Sequence, residues 1–146
     1  MAPRPGSVAA RRLYANDDPA AWSAALSRYG DCIKNIKGKA TQQLSKDDKW
    51  WREELPATVQ KRKPRHLTKS ELERVMRWKL ARGKWRPLQG MVAENKEDLV
   101  ISCTTKAFAA GKNVKRAVTE LTPLRAIGPA TATAILAVVQ HDIPFM

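Results

Sequence analysis

A Gly128-Pro129 step joins an apolar segment ending at Leu124 to an alanine-rich run from Ala130 to Val139, and it leaves this part of the chain few ways to fold. Pro129 is suited to start a helix, because its ring pre-sets φ and its missing amide proton is one that a helix N-terminus leaves unbonded anyway. Ala130, Ala132, Ala134 and Ala137 keep that helix thin enough to approach a neighbour closely, while Ile135, Leu136 and Val139 supply its apolar surface. Val114 to Leu121 reads as the helix before it, so residues 114–140 form two helices meeting at a sharp bend, with Ile127 as the plug in the angle.

The rest of the chain has the same helical period. Asp17-Asp18-Pro19 reads as a helix start, followed by Trp22, Leu26, Tyr29 and Ile33 as one buried stripe that fades near Gly38. Lys46 to Glu54 predicts a short helix closed by Pro56. Thr68 and Glu71 have capping-box spacing, and the helix they open runs to about Arg82 with Leu72, Val75, Met76 and Leu80 on one face and Gly83 as its end. Arg86-Pro87 restarts a helix to Glu94, and Asn95 with Asp98 reads as the cap of another that reaches Ala110. No segment alternates as a strand would. The expected fold class is therefore all-α, with about six or seven short helices. Residues 1–18, with Arg4, Arg11 and Arg12 among Pro3, Pro5 and Gly6, read as a flexible basic tail ahead of a helical domain over 19–146.

At 146 residues the chain suits a single core, and its formal net charge of +13 implies a polyanionic partner, with nucleic acid first. Cys32 and Cys103, with only His66 and His141 beside them, fit neither a four-thiolate metal site nor a disulfide framework, so no metal, no cofactor and no catalytic role for these four is expected. No run is apolar enough for a membrane span, and the start of the chain has no signal-peptide core. An intracellular setting follows.

Charge is concentrated between Lys61 and Arg86, where eleven Lys or Arg face only Glu71 and Glu73. A helix carrying Arg74, Arg77 and Arg82, continued by Lys84 and Arg86, can follow a phosphate backbone, and Trp78, away from the Leu72 stripe, is a candidate to stack on a base. The bend offers a different kind of contact. Its backbone amides and the N-terminus of the helix from Pro129 present donors and a positive dipole end to a phosphate oxygen. Arg125, Ala126, Ile127, Gly128, Ala130 and Thr131 are the residues that would carry it.

Leu124-Arg125-Ala126-Ile127-Gly128-Pro129-Ala130-Thr131-Ala132 resembles the helix-hairpin-helix of the DNA glycosylase superfamily, usually Leu-Pro-Gly-(Val/Ile)-Gly-x-x-Thr-Ala. Over Leu67 to Asn95, with Arg77-Trp78-Lys79-Leu80-Ala81-Arg82-Gly83-Lys84-Trp85-Arg86-Pro87, the chain is also similar to the Amun-like family of eukaryotic glycosylase-like nuclear proteins. These resemblances imply part of a DNA glycosylase domain, a nuclear location, a role tied to DNA repair, and duplex DNA as the partner, gripped by its sugar-phosphate backbone. Two departures stand out. Ala126 replaces the first turn glycine, which strains the turn by about 1 kcal/mol if a positive φ is needed there. Pro129 removes one donor. The superfamily's catalytic Asp is expected past Met146, its lyase Lys position is Ala130, and Asp142 comes too early to serve, so binding without catalysis is the expectation and no catalytic residue is assigned. The alternatives are the N-terminal part of a monofunctional base-excision glycosylase, an RNA-binding or ribosome-associated hairpin module, and a protein-interaction domain whose charge only confers solubility.

Overall fold

The structure is a computed structural model and describes residues 12–39 and 41–143. Most of the basic tail inferred above, residues 1–11, lies outside them. Among the described residues every regular element is helical, so the protein is all-α. The chain divides into two compact units, one ending at Asn35 and the other beginning at Ile36.

In the first unit, Asp18 caps α1 (Pro19–Ser27) by accepting from the Ala20 amide at 3.0 Å, with Pro19 in the first turn. The expected stripe does not form. The helix breaks at Arg28, whose amide turns back to Ala25 at 3.2 Å, and a separate α2 (Tyr29–Lys34) follows. The break rotates the second half out of phase: Ile33 is buried, yet Leu26 is 71% exposed. Trp22, 45% exposed, instead donates its indole N–H to the Asn16 carbonyl at 2.7 Å.

In the second unit a short 3-10 turn (Thr41–Gln43) leads into a single helical run in three parts: α3 (Leu44–Lys49), a π-turn segment (Trp50–Glu54) and α4 (Leu55–Gln60). Pro56 does not close it. A proline inside a helix lacks a donor and crowds the carbonyl one turn back, but here the Leu55 amide reaches the Trp50 carbonyl, and this wider turn admits the ring. Next comes α5 (Lys69–Arg82), opened by the full capping box: Thr68 accepts from the Glu71 amide at 3.3 Å and Glu71 from the Thr68 amide at 2.9 Å. Gly83 is its C-cap, as predicted.

α5 is the centre of the unit. It packs against α3, α6 (Gln89–Ala93), α7 (Glu97–Ala109) and α9 (Pro129–Leu136), and Leu72, Val75, Met76 and Leu80 go into the core together. Each such side chain contributes about 1.5–3 kcal/mol by leaving water. Thr104, buried on α7, ties in the segment before α5 by accepting from the Leu67 amide at 2.9 Å. α8 (Val114–Leu121) lies against α7 and is capped by Asn113, which accepts from the Arg116 amide at 3.1 Å. Regular α9 stops at Leu136, short of the expected Gln140, because the amides of Val138 and Val139 tighten to the carbonyls three residues back.

Candidate nucleic-acid interface

The bend between α8 and α9 contains the one described non-glycine residue with positive φ, Ala126 at +63°. The strain anticipated for that position is therefore present, since a left-handed alanine brings Cβ against the following carbonyl. Leu124 and Ile127 are both buried and belong to the hydrophobic core.

Two of the bend's amides are already occupied. That of Ile127 reaches the Leu124 carbonyl at 3.3 Å, and that of Arg125 meets Asn95 Oδ1 at 2.8 Å. Asn95 is thus not a helix cap; the position before α7 is Lys96, without a side-chain bond. Asn95 is a buried clamp whose Nδ2 also donates to the Arg125 carbonyl at 3.2 Å and the Val92 carbonyl at 3.0 Å, fixing the bend to the end of α6. The Arg125 side chain pairs with Glu94 on the surface. Thr131 is buried, so its side chain is turned away from any partner in solution, and Ala130 is half-buried.

Gly128 differs from these. It is exposed and extended, with φ −90° and ψ −179°, and a Cβ built on it would meet nothing within 4 Å. Neither backbone conformation nor packing demands glycine there. No side chain caps α9 after it, and Pro129 fills its first position, which leaves the Ala130 and Thr131 amides in the unbonded first turn, ahead of the Ala132 amide that closes on the Gly128 carbonyl at 2.9 Å. What the bend presents outward is therefore the Gly128 end of the turn, and the Arg125–Ile127 end is tied inward.

The basic stretch divides in the same way. Trp78 is 1% exposed and cannot stack on a base; it lies flat on Trp51, with ring centroids 4.2 Å apart and planes at 10°, and its N–H donates to Asp48 at 3.0 Å. Arg74 and Arg77 converge on Asp47, which is 2% exposed: Arg74 Nε lies 2.7 Å from Oδ1, Arg77 Nε 2.6 Å from Oδ2 and Arg77 Nη2 2.8 Å from Oδ1. Arg74 also stacks its guanidinium on Trp50 at 4.2 Å. Burial by itself would raise the Asp47 pKa, but the hydrogen bonds and charges of Arg77 and Arg74 outweigh it and hold the carboxyl below its ordinary range. Both arginines expected to contact a phosphate backbone are thus engaged by Asp47 within the protein. Arg62 is likewise engaged, bidentate to Glu71 at 2.7 and 2.8 Å.

Farther along, Arg82, Lys84 and Arg86 line an open cavity at the end of α5. The surrounding sequence shows why: α5 has reached Gly83, the chain turns outward, and Arg86-Pro87 delays the next helix until Gln89. Asp47 and Asp48 are the residues that sequence reasoning missed. Their signal is an adjacent acidic pair on a short helix, one residue ahead of Trp50-Trp51, in a chain where Lys and Arg outnumber Asp and Glu 27 to 14.

Cys103 is buried in the core and its thiol is pushed up by burial, with Lys106 opposing and Glu120 adding to the shift. No group of three or more metal-ligating side chains occurs among the described residues, and no described helix is long and apolar enough to cross a membrane. Compared with protein-family models, curated proteins and solved structures, the chain matches none.

Proposed function

We propose that this chain binds nucleic acid, duplex DNA first, as a helix-hairpin-helix module of the DNA glycosylase type that grips the sugar-phosphate backbone. The observation that carries the reading is Gly128: a glycine kept at an exposed, uncapped helix start where neither φ nor packing calls for one. Its lack of a side chain serves close approach from outside, and the amides of the first turn with the positive end of α9 favour an anion there. The left-handed Ala126 agrees with this reading, because the resembled motif places glycine at that position. Lys84, Arg86 and Arg82 supply a second group of cations, and the formal charge of +13 favours a polyanion overall.

The grip consists of binding. Ala130, at the position of the superfamily's lyase Lys, carries no amine, so no attack on the sugar proceeds from that residue. A nuclear location and a place in DNA repair belong to the same reading.

The test is a titration of undamaged duplex, abasic duplex and structured RNA at rising salt. The reading expects duplex affinity to fall linearly on a log–log plot against salt, with RNA a weaker competitor. Preferential capture of structured RNA would move the function to an RNA-binding module, and salt-independent or absent binding would remove nucleic acid altogether.

A further inference from the structure

The tryptophans of the second unit differ in their surroundings. Trp50 is buried beneath the Arg74 guanidinium, and Trp51 and Trp78 stack on each other. Trp85 is set apart from them. It belongs to the irregular loop between α5 and α6, where every residue from Arg82 to Pro87 is exposed, and 39% of its own surface reaches solvent. The local sequence explains this placement: Gly83 ends α5, and Pro87 disfavours helical backbone at Arg86, so the helix cannot run on and draw the indole into the core. Lys84 and Arg86 flank the ring in sequence, and Lys39, from the segment ahead of α3, holds its ammonium 4.4 Å from the ring centroid. That ammonium is attracted by the negative face of the indole. A lone apolar side chain on a surface is ordinary. An exposed indole with one cation over its face and another on either side combines the two elements that hold a single strand, a π-face for a base and positive charge for the phosphates around it.

We infer that Trp85 is a stacking platform for an unpaired base, and that the preferred ligand is DNA in which a single strand leaves a duplex. A base arriving at the ring moves the Lys39 ammonium onto the phosphate that accompanies it, exchanging an exposed cation–π contact for stacking and an ion pair. A ligand that is only cationic is repelled by Lys39, Lys84 and Arg86, and one that is only anionic makes no use of the ring. A nucleotide uses both. α6, five residues and about 8 Å long, is all the helix that separates this loop from Asn95, which clamps the bend, so both elements are within reach of one nucleic acid. The inference rests on the nucleic-acid reading for its ligand, but not on Gly128 being the duplex contact.

Titration of the full chain with a blunt DNA duplex and with the same duplex carrying a short single-stranded overhang tests it. Wild type should bind the overhang form about tenfold more tightly. Trp85→Leu, which keeps apolar volume without the π-face, should abolish that preference and leave blunt-duplex affinity unchanged, while Trp85→Phe should retain most of it. The part of the tryptophan emission that Trp85→Phe removes should be quenched by the overhang form and not by the blunt duplex. Equal affinity of wild type for the two forms overturns the inference, as does a Trp85→Leu variant that weakens both forms equally, because the ring then only supports its loop. Gly128→Glu separates this inference from the hairpin reading. If that variant loses blunt-duplex binding and wild type shows no overhang preference, the hairpin stands and the platform falls. If it binds both forms as wild type does, while Trp85→Leu still abolishes the preference, the platform stands and the hairpin falls. A wild type that binds neither form refutes both.

Discussion

Within α5 and the loop that follows it, the same residue types meet two different surroundings. Arg74 and Arg77 lie over Asp47 and are held by it, whereas Lys79, Lys84 and Arg86 surround a cavity that no carboxylate lines. A run of eleven cations is therefore not one electrostatic footprint. What divides it is a single buried carboxylate delivered from a helix some thirty residues earlier, a contact that charge counting along the chain cannot register. The arginines in the middle of α5 hold the helix to α3, and the cations at its end line an open cavity.

The largest effect should come from removing the divider. Asp47→Asn leaves two partly exposed arginines without their shared carboxylate and should lower stability by about 2–3 kcal/mol in a urea melt, less than a fully buried pair would lose. The same variant changes the response to acid. Because the folded pKa of Asp47 lies below its ordinary 3.8, its contribution is complete above that value and disappears as pH falls through the lower folded one. Glu71, also lowered by Arg62 and Thr68 against the opposing effect of burial, adds to the same limb from its ordinary 4.5 downward. Wild type should therefore lose stability steeply on acidification below these values, and Asp47→Asn should flatten the limb. An unchanged acid profile would remove Asp47 from the account.

A sharper comparison sets Arg86→Gln against Arg77→Gln in duplex binding. The first should reduce the log–log salt slope by about 1, with little change in the melt. The second should leave the slope nearly unaltered and lower stability by about 1 kcal/mol. Equal slopes for both would erase the distinction between the two regions.

Smaller still are the backbone effects at two left-handed positions, Gly111 at φ +58° and Ala126 at +63°. Gly111→Ala should destabilise by about 1 kcal/mol, and Ala126→Gly should stabilise by about 0.5 kcal/mol, because glycine relieves the Cβ contact while gaining freedom in the unfolded chain.

Features with a local cause could be read from the residues: the Thr68–Glu71 capping box, the Asp18 cap and the Leu72–Leu80 face each depend on neighbours within a turn or two, whereas the strain at Ala126 was an expectation carried by the resemblance to the hairpin motif. The misreadings all required a distant partner or a departure from α-geometry. Trp78 was placed by its helical angle on the outward side, yet Asp48 and Trp51 cover it. Asn95 had the residue type and spacing of a cap, but the unbonded groups of the Arg125 peptide, thirty residues away, were the stronger claim on its amide. Pro56 marked a stop by the ordinary rule, and one π-turn admitted it. At the candidate interface Gly128 was legible as a residue type, while the inward ties of Arg125 and Ile127 were not.

The most direct measurement compares wild type with Gly128→Glu for duplex affinity and salt slope, alongside a melt of each. Since the new side chain enters open space at an ordinary φ, folding should be nearly unaffected, while a carboxylate set against the incoming phosphate should cost about 2 kcal/mol of binding, roughly thirtyfold. Equal affinity and slope in the two proteins would contradict the claim that nucleic acid approaches this bend.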